Sequence, residues 1–226
     1  MIRVLPATLL ALGFALFACN SAARADTTQI NATYTPPSLF NTTEIRSPNL
    51  ASFTNWTGML ARFHRSESLG AGMCATAGNG GGHCEWDEWQ QIIARLKNLP
   101  PQQQLDQVND IMNRHRYIID RVNWGVEDYW QTVFEFLRKN GDCEDYAIAK
   151  YLTLRALGWP VDRLRIVILR DTKLNLNHAI LAAYTDKGIY IGDNQITGLV
   201  KAENIHHYRA IYSINENGWW LHRPAG

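Results

Sequence analysis

The sequence has no excess of basic charge. Its 22 lysine and arginine residues stand against 21 aspartate and glutamate residues, a formal net charge of +1 over 226 residues. Proteins that bind nucleic acid normally carry a basic surplus for the phosphate backbone, so this function class is excluded. No apolar run of about 18 residues follows position 25, so a membrane span in the remaining chain is not expected.

Internal repeats, low-complexity tracts and Cys-x-x-Cys spacings are also missing. What the chain does have is a hydrophobic content of 46% and an aromatic content of 11%. This composition excludes a disordered chain or a coiled coil and provides enough apolar surface for a substantial core.

The first 25 residues have the pattern of a secretory signal peptide. Arg3 supplies the positive start, an almost wholly apolar stretch runs to Cys19, and Ala23–Ala25 offers small residues for cleavage. We place the cleavage after Ala25 and expect an exported protein. In the alternative interpretation, Leu16–Cys19 is a lipoprotein processing site with Cys19 lipidated, although Phe17 is bulky for that position.

Three cysteines remain after such a cleavage. Cys74 and Cys84 are ten residues apart across a glycine-rich loop, and export favours a disulfide between them. Zinc binding by these two cysteines with His64 and His83 is the alternative, although the spacing does not support it. Cys143 is then the unpaired thiol.

The pattern of apolar residues divides the chain into an extended N-terminal arm over 26–50 and a single domain over 51–226. Helical periodicity dominates this domain to about residue 158. The predicted helices are 56–63, 89–99, 105–117, 128–137 (helix or turn) and 143–157.

After residue 158 the pattern changes to β-branched and aromatic segments separated by turn signals. The predicted strands are 165–170, 178–184, 188–191 and 208–214. Helices followed by strands indicate an α+β fold in which N-terminal helices pack on a C-terminal antiparallel sheet.

The segment Asn140–Ala147 carries the clearest chemical signal. Asp142 can cap a helix that begins at Cys143, with Asp145 in capping-box relation. A helix N-terminus lowers the pKa of a thiol, which suits a nucleophile. Asp142, Glu144 and Asp145 would raise that pKa, so an imidazolium or a bound cation must offset them.

A base and an orienting group for Cys143 can be found further along the chain. His178 begins one predicted strand and Asp193 ends the next, so antiparallel pairing could bring the two together beside the Cys143 helix. Cys143, His178 and Asp193 are therefore the candidate nucleophile, base and orienting residue.

These residues lie in a pattern that resembles the bacterial transglutaminase-like cysteine proteases, and among them the LapG-type periplasmic proteases. The resemblance covers roughly residues 39–215. One departure is Gln131–Val133, where the family pattern leads us to expect Ala-Thr-Pro. The matching residues are Asn109, Tyr117, Asp120, Trp124–Val126, Asp128–Trp130, Gly141–Lys150, Leu154–Arg155, Leu157–Gly158, His178–Ala179 and Asp193–Asn194.

The resemblance implies a papain-like and transglutaminase-like α+β fold with a Cys143–His178–Asp193 triad. It also implies calcium binding by Asp142 and Glu144, whose hard oxygen ligands suit that ion. The alternative is that these acidic residues only cap the helix.

For function, the resemblance implies a calcium-dependent periplasmic protease. Such a protease clips the N-terminal region of a large surface adhesin near paired alanines, which releases the adhesin and disperses biofilm. An inner-membrane receptor for cyclic di-GMP is the implied regulatory partner. Transglutaminase-type amide transfer by the same triad and a non-catalytic periplasmic calcium-binding module remain as alternatives.

Overall fold

The structure, a computed structural model, describes Met1, residues 37–76 and residues 84–225. Apart from Met1, the signal peptide expected over 1–25, with its Cys19, lies outside the described residues. His83 lies outside them as well. Within the described part, no helix is both long and apolar enough to cross a membrane.

Seven α-helices occur in the described ranges, all of them before the long strands begin. They are α1 (Thr54–Leu69), α2 (Gly72–Thr76), α3 (Glu85–Leu96), α4 (Pro101–Asn113), α5 (Asp120–Asn123), α6 (Val133–Lys139) and α7 (Cys143–Ala156). Short 3₁₀ turns cover Leu39–Asn41, Val161–Arg163 and Ala202–Asn204.

The described strands form one antiparallel sheet in the order β1-β7-β6-β2-β3-β4-β5. They are β1 (Thr42–Ser47), β2 (Leu164–Asp171), β3 (Leu176–Thr185), β4 (Gly188–Gly192), β5 (Val200–Lys201), β6 (Tyr208–Asn215) and β7 (Gly218–Pro224). The predicted α+β class with an antiparallel sheet is confirmed.

Helix α7 is the central helix of the larger hydrophobic core, between the sheet and three other helices. Every residue from Asp145 to Leu154 is buried. The helix packs against β2 and β3 as well as against α3, α4 and α6, so all its faces are covered. The core thereby fixes the position of Cys143 at the first residue of this helix.

The N-terminal arm expected over 26–50 needs correction. Residues 42–47 form β1, an edge strand paired with β7, so the folded domain begins before residue 51. An ion pair of 2.6 Å between Glu44 and the buried Arg165 ties this strand to β2. The strand escaped prediction because its sequence, Thr-Thr-Glu-Ile-Arg-Ser, has little apolar alternation.

The helix or turn expected over 128–137 is a helix only from Val133 onward. Thr132 caps it: the Thr132 hydroxyl accepts from the Glu135 N–H at 3.2 Å, and the Glu135 carboxylate accepts from the Thr132 N–H at 2.7 Å. This capping box keeps the residues before Val133 out of the helix.

Cys74 and Cys84 form the predicted disulfide, with their Cα atoms 5.5 Å apart. Bridged sulfur offers no thiolate to a zinc ion, and His64 is 3.1 Å from Glu67 instead. The structure therefore disfavours the zinc alternative. Cys143 is the free cysteine of the described residues.

Replacing Cys74 and Cys84 together by serine should lower the free energy of unfolding by about 2–3 kcal/mol, because the crosslink closes a loop of about ten residues. Urea denaturation measures the change. The control is Cys143→Ser, which removes a thiol and keeps the crosslink. Equal stability of the double variant and the wild type, or three free thiols in the unreduced mature protein, would contradict the pairing.

Candidate active site

Cys143 is held at the N-terminus of α7 by a locked turn. The buried carboxylate of Asp145 accepts from the backbone N–H groups of Asp142 at 3.1 Å and of Gln131 at 2.8 Å. Glycine is needed at position 141, since a Cβ there would lie 2.7 Å from Nε2 of Gln131 and would also collide with Asp145. The turn before the cysteine is thus fixed by packing and by hydrogen bonds.

His178 and Asp193 come together as the strand pairing predicts. His178 lies on β3 and Asp193 directly follows β4, its hydrogen-bonded neighbour. Nε2 of His178 is 2.9 Å from Oδ1 of Asp193, and both side chains are buried. The backbone N–H of Gln195 also donates to Oδ1, at 2.8 Å, and the hydroxyl of Tyr208 on β6 donates to Oδ2 at 2.6 Å.

These contacts keep Asp193 ionised. Burial alone would raise the pKa of Asp193, but the hydrogen bond and charge of His178, with the hydrogen bond from Tyr208, hold it below its ordinary value. An anionic Asp193 accepts the Nε2 proton of His178 and fixes the ring. Nδ1 of His178 is buried and has no hydrogen-bond partner among the described residues, so this nitrogen is free to exchange a proton.

The thiol of Cys143 faces the strand that carries His178. One of the groups that act on Sγ is the backbone N–H of Ala179, the next residue on β3, which favours the thiolate. Sγ also donates to Oε2 of Glu144 at 3.2 Å. Burial, followed by the charge of Glu144, raises the pKa of the Cys143 thiol. Ionisation of this thiol therefore requires a compensating positive charge.

Three carboxylates converge beside Cys143. Asp120, Asp142 and Glu144 each place one oxygen within 4.8 Å of the others. Oδ1 of Asp120 and Oδ1 of Asp142 are buried without a hydrogen-bond partner among the described residues. Oxygen donors with unused lone pairs fit a hard divalent cation such as calcium.

Burial disfavours the ionised form of all three groups, and the charges of neighbouring carboxylates act in the same direction. Burial, then the charges of Asp142 and Asp145, raises the pKa of Glu144 to about 9. Burial raises the pKa of Asp120 to about 6, with the charges of Asp142 and Asp128 acting in the same direction. Burial also raises the pKa of Asp142. A cation among these oxygens would lower the three pKa values and favour the ionised carboxylates.

Most of the chain matches a known protein family. The family model described as "bacterial transglutaminase-like cysteine proteinase BTLCP" matches residues 77–222. The chain belongs to the bacterial transglutaminase-like cysteine proteinases. The family resemblance noted in the sequence is thereby confirmed, and so is the cysteine-protease class.

Solved structures of LapG from Legionella pneumophila are similar to this proteinase at 34% identity. The calcium-bound form gives a TM-score of 0.58 over 66% of this chain and 83% of that one. The EGTA-treated form gives 0.59 over 69% and 84%. The comparison with curated protein sequences finds no match.

Three residues of the site have roles that the sequence did not predict. Asp120 matched the family pattern, but it stands 22 residues before Asp142, and nothing marked it as part of the carboxylate cluster. Tyr208 reads as an ordinary strand residue. Gln131 did carry a signal, as a departure from the expected Ala-Thr-Pro: its Nε2 donates to Asp145 at 2.5 Å and to the Asn140 carbonyl at 3.0 Å.

Replacing Tyr208 by phenylalanine should lower the turnover number of this proteinase by roughly tenfold. A hydrogen bond to a charged group contributes about 1.5–3 kcal/mol, and its loss weakens the hold of Asp193 on His178. The change is measured with steady-state kinetics. The control is Tyr190→Phe on β4, since no hydrogen bond of the Tyr190 hydroxyl occurs in the described part of the chain. Equal turnover in the two variants would contradict the role of Tyr208.

Proposed function

We propose that this proteinase is a calcium-dependent endopeptidase whose triad is Cys143, His178 and Asp193. The observation that carries the proposal is the buried pair of His178 and Asp193, 2.9 Å apart, on strands packed against the helix that Cys143 begins. A thiol nucleophile needs a base, and the base needs an orienting group. Helix α7 carries the thiol of Cys143, strand β3 carries the base His178, and the orienting residue Asp193 follows the end of β4.

In the proposed reaction, Sγ of Cys143 attacks the scissile carbonyl after its proton passes to Nδ1 of His178. The backbone N–H of Cys143 has no acceptor within the helix, because it is in the first turn, and it can stabilise the developing oxyanion. His178 then protonates the leaving amine. Water hydrolyses the acyl-enzyme with His178 as the base, while Asp193 holds the ring.

Asp120, Asp142 and Glu144 would hold the calcium ion. When bound, the ion would supply positive charge that neutralises the carboxylates around the thiol, and its ligands would come from α5 and from the start of α7. A helix N-terminus offsets only about 0.3–1 kcal/mol per exposed charge, which is too little for this cluster. If the acidic residues only capped the helix, the unpartnered oxygens of Asp120 and Asp142 would have no explanation.

We further propose that the enzyme acts in the periplasm on the N-terminal region of a large surface adhesin and cuts near paired alanines. Release of the adhesin would disperse biofilm, and an inner-membrane receptor that senses cyclic di-GMP would sequester the enzyme. Membership of the family and the similarity to LapG support this role.

The Cys143→Ala variant should fold normally but fail to cut an adhesin fragment that contains the paired alanines. Loss of the nucleophile typically lowers turnover by several orders of magnitude. Gel electrophoresis of the digest and circular dichroism of the variant measure the two properties. The control substrate carries a substitution at both alanines. Cleavage by a folded Cys143→Ala protein would overturn the triad, and amine incorporation without hydrolysis would indicate a transglutaminase.

Chelation of calcium should abolish cleavage, and added calcium should restore it. Asp120→Asn and Asp142→Asn should each weaken calcium binding by at least about tenfold, because each removes one anionic ligand of a cation site. Isothermal titration calorimetry measures the affinity. Asp110→Asn on the exposed face of α4 is the matched control. Full activity after exhaustive chelation, with no calcium uptake, would contradict the calcium site and would mean that the carboxylates only cap the helix.

A further inference from the structure

Lys150 is a buried cation that the proposed reaction does not use. It lies on the same side of α7 as Cys143, about two turns further along the helix. Its side chain is fully buried, and Nζ has no hydrogen-bond partner among the described residues. The only ring that Nζ is found to approach in the described chain is that of Tyr146, at 6.0 Å from the centroid. An ammonium group without a partner is costly to bury, so a position that needed only aliphatic filling would favour leucine or methionine.

The side chain of Lys150 runs directly behind the backbone that carries Asp193. A Cβ on Gly192 would lie 3.5 Å from Cδ of Lys150 and 3.3 Å from Oδ1 of Asn109. Asn109 is itself buried, and both of its amide atoms lack partners in the described part of the chain. Nδ2 of Asn113 donates to the Asp193 carbonyl at 2.8 Å. Helices α4 and α7 thus present a polar layer to the peptide at the end of β4.

Asp193 is the charged group that acts on Lys150. Burial lowers the pKa of Lys150 to about 7, and the carboxylate of Asp193 opposes this shift. The interaction is mutual, so an ammonium group at position 150 favours the ionised form of Asp193. It adds to the larger effect of the hydrogen bonds from His178 and Tyr208.

We propose that Lys150 is a positioning residue whose charge helps to hold the ionised Asp193 directed at His178. The inference rests on the proposed function, in which Asp193 orients the catalytic histidine. Lys150 does not reach the substrate, since it is buried behind β4, and it acts on Asp193 through its charge without a hydrogen bond. This role accounts for a buried lysine without a partner directly behind the site.

The test is Lys150→Met in the calcium-loaded mature chain, since methionine keeps the aliphatic length and removes the charge. Near pH 6, about one unit below the pKa of Lys150, we expect turnover to fall by about threefold, less than in Tyr208→Phe, with little change in KM. The nitrogen NMR signal of Nε2 in His178 should shift, because the positive charge that acts on its acceptor, Asp193, is removed. The His178→Gln variant assigns this signal. The melting temperature should stay the same or rise, because a buried unpaired charge is removed.

Leu152→Met places the same side chain in the buried part of the same helix and should leave all three measurements close to wild type. An unchanged His178 signal in Lys150→Met, or a loss of turnover that only follows a falling melting temperature, would overturn the proposal. If the wild type cuts no substrate, the proposed function fails. The NMR signal and the melting temperature still decide the role of Lys150 in that case.

Discussion

The crowding of negative charge at the start of α7 is the constraint on which the site depends. Asp120, Asp142 and Glu144 meet within 4.8 Å of one another, and the thiol of Cys143 lies against Glu144. Without a cation, burial and repulsion raise the pKa of the thiol, the opposite of what a nucleophile requires. A calcium ion among these carboxylates would neutralise their charge, so that the cluster no longer opposes ionisation of the Cys143 thiol. It would also hold the start of α7 in place.

The other half of the site depends on the sheet. Strands β3 and β4 pair so that His178 and Asp193 meet, and Tyr208 reaches the same carboxylate from β6. All three side chains are buried, so their hydrogen bonds are protected from water. The charge of Asp193 on the sheet side is therefore balanced by its hydrogen bonds to His178 and Tyr208. The carboxylates at the start of α7, by contrast, require an external cation.

The sequence predicted the features that depend on local pattern. The α7 boundaries, the strands β2, β3, β4 and β6 and the pairing of Cys74 with Cys84 follow from periodicity, cap residues and spacing. It did not predict β1 or β7, which are far apart in the chain and pair with each other at one end of the sheet. Asp120 and Tyr208 were missed for the same reason, since only the tertiary fold brings them to Asp142 and Asp193.

Alkylation of Cys143 tests the central claim most directly, because it reports the ionised thiol without any substrate. The rate of modification by iodoacetamide is followed by intact-protein mass spectrometry, with calcium and with chelator. The account predicts one modified cysteine, modified rapidly with calcium and slowly after chelation, and slowly in His178→Ala under both conditions. A rate that does not depend on calcium or on His178 would contradict the account.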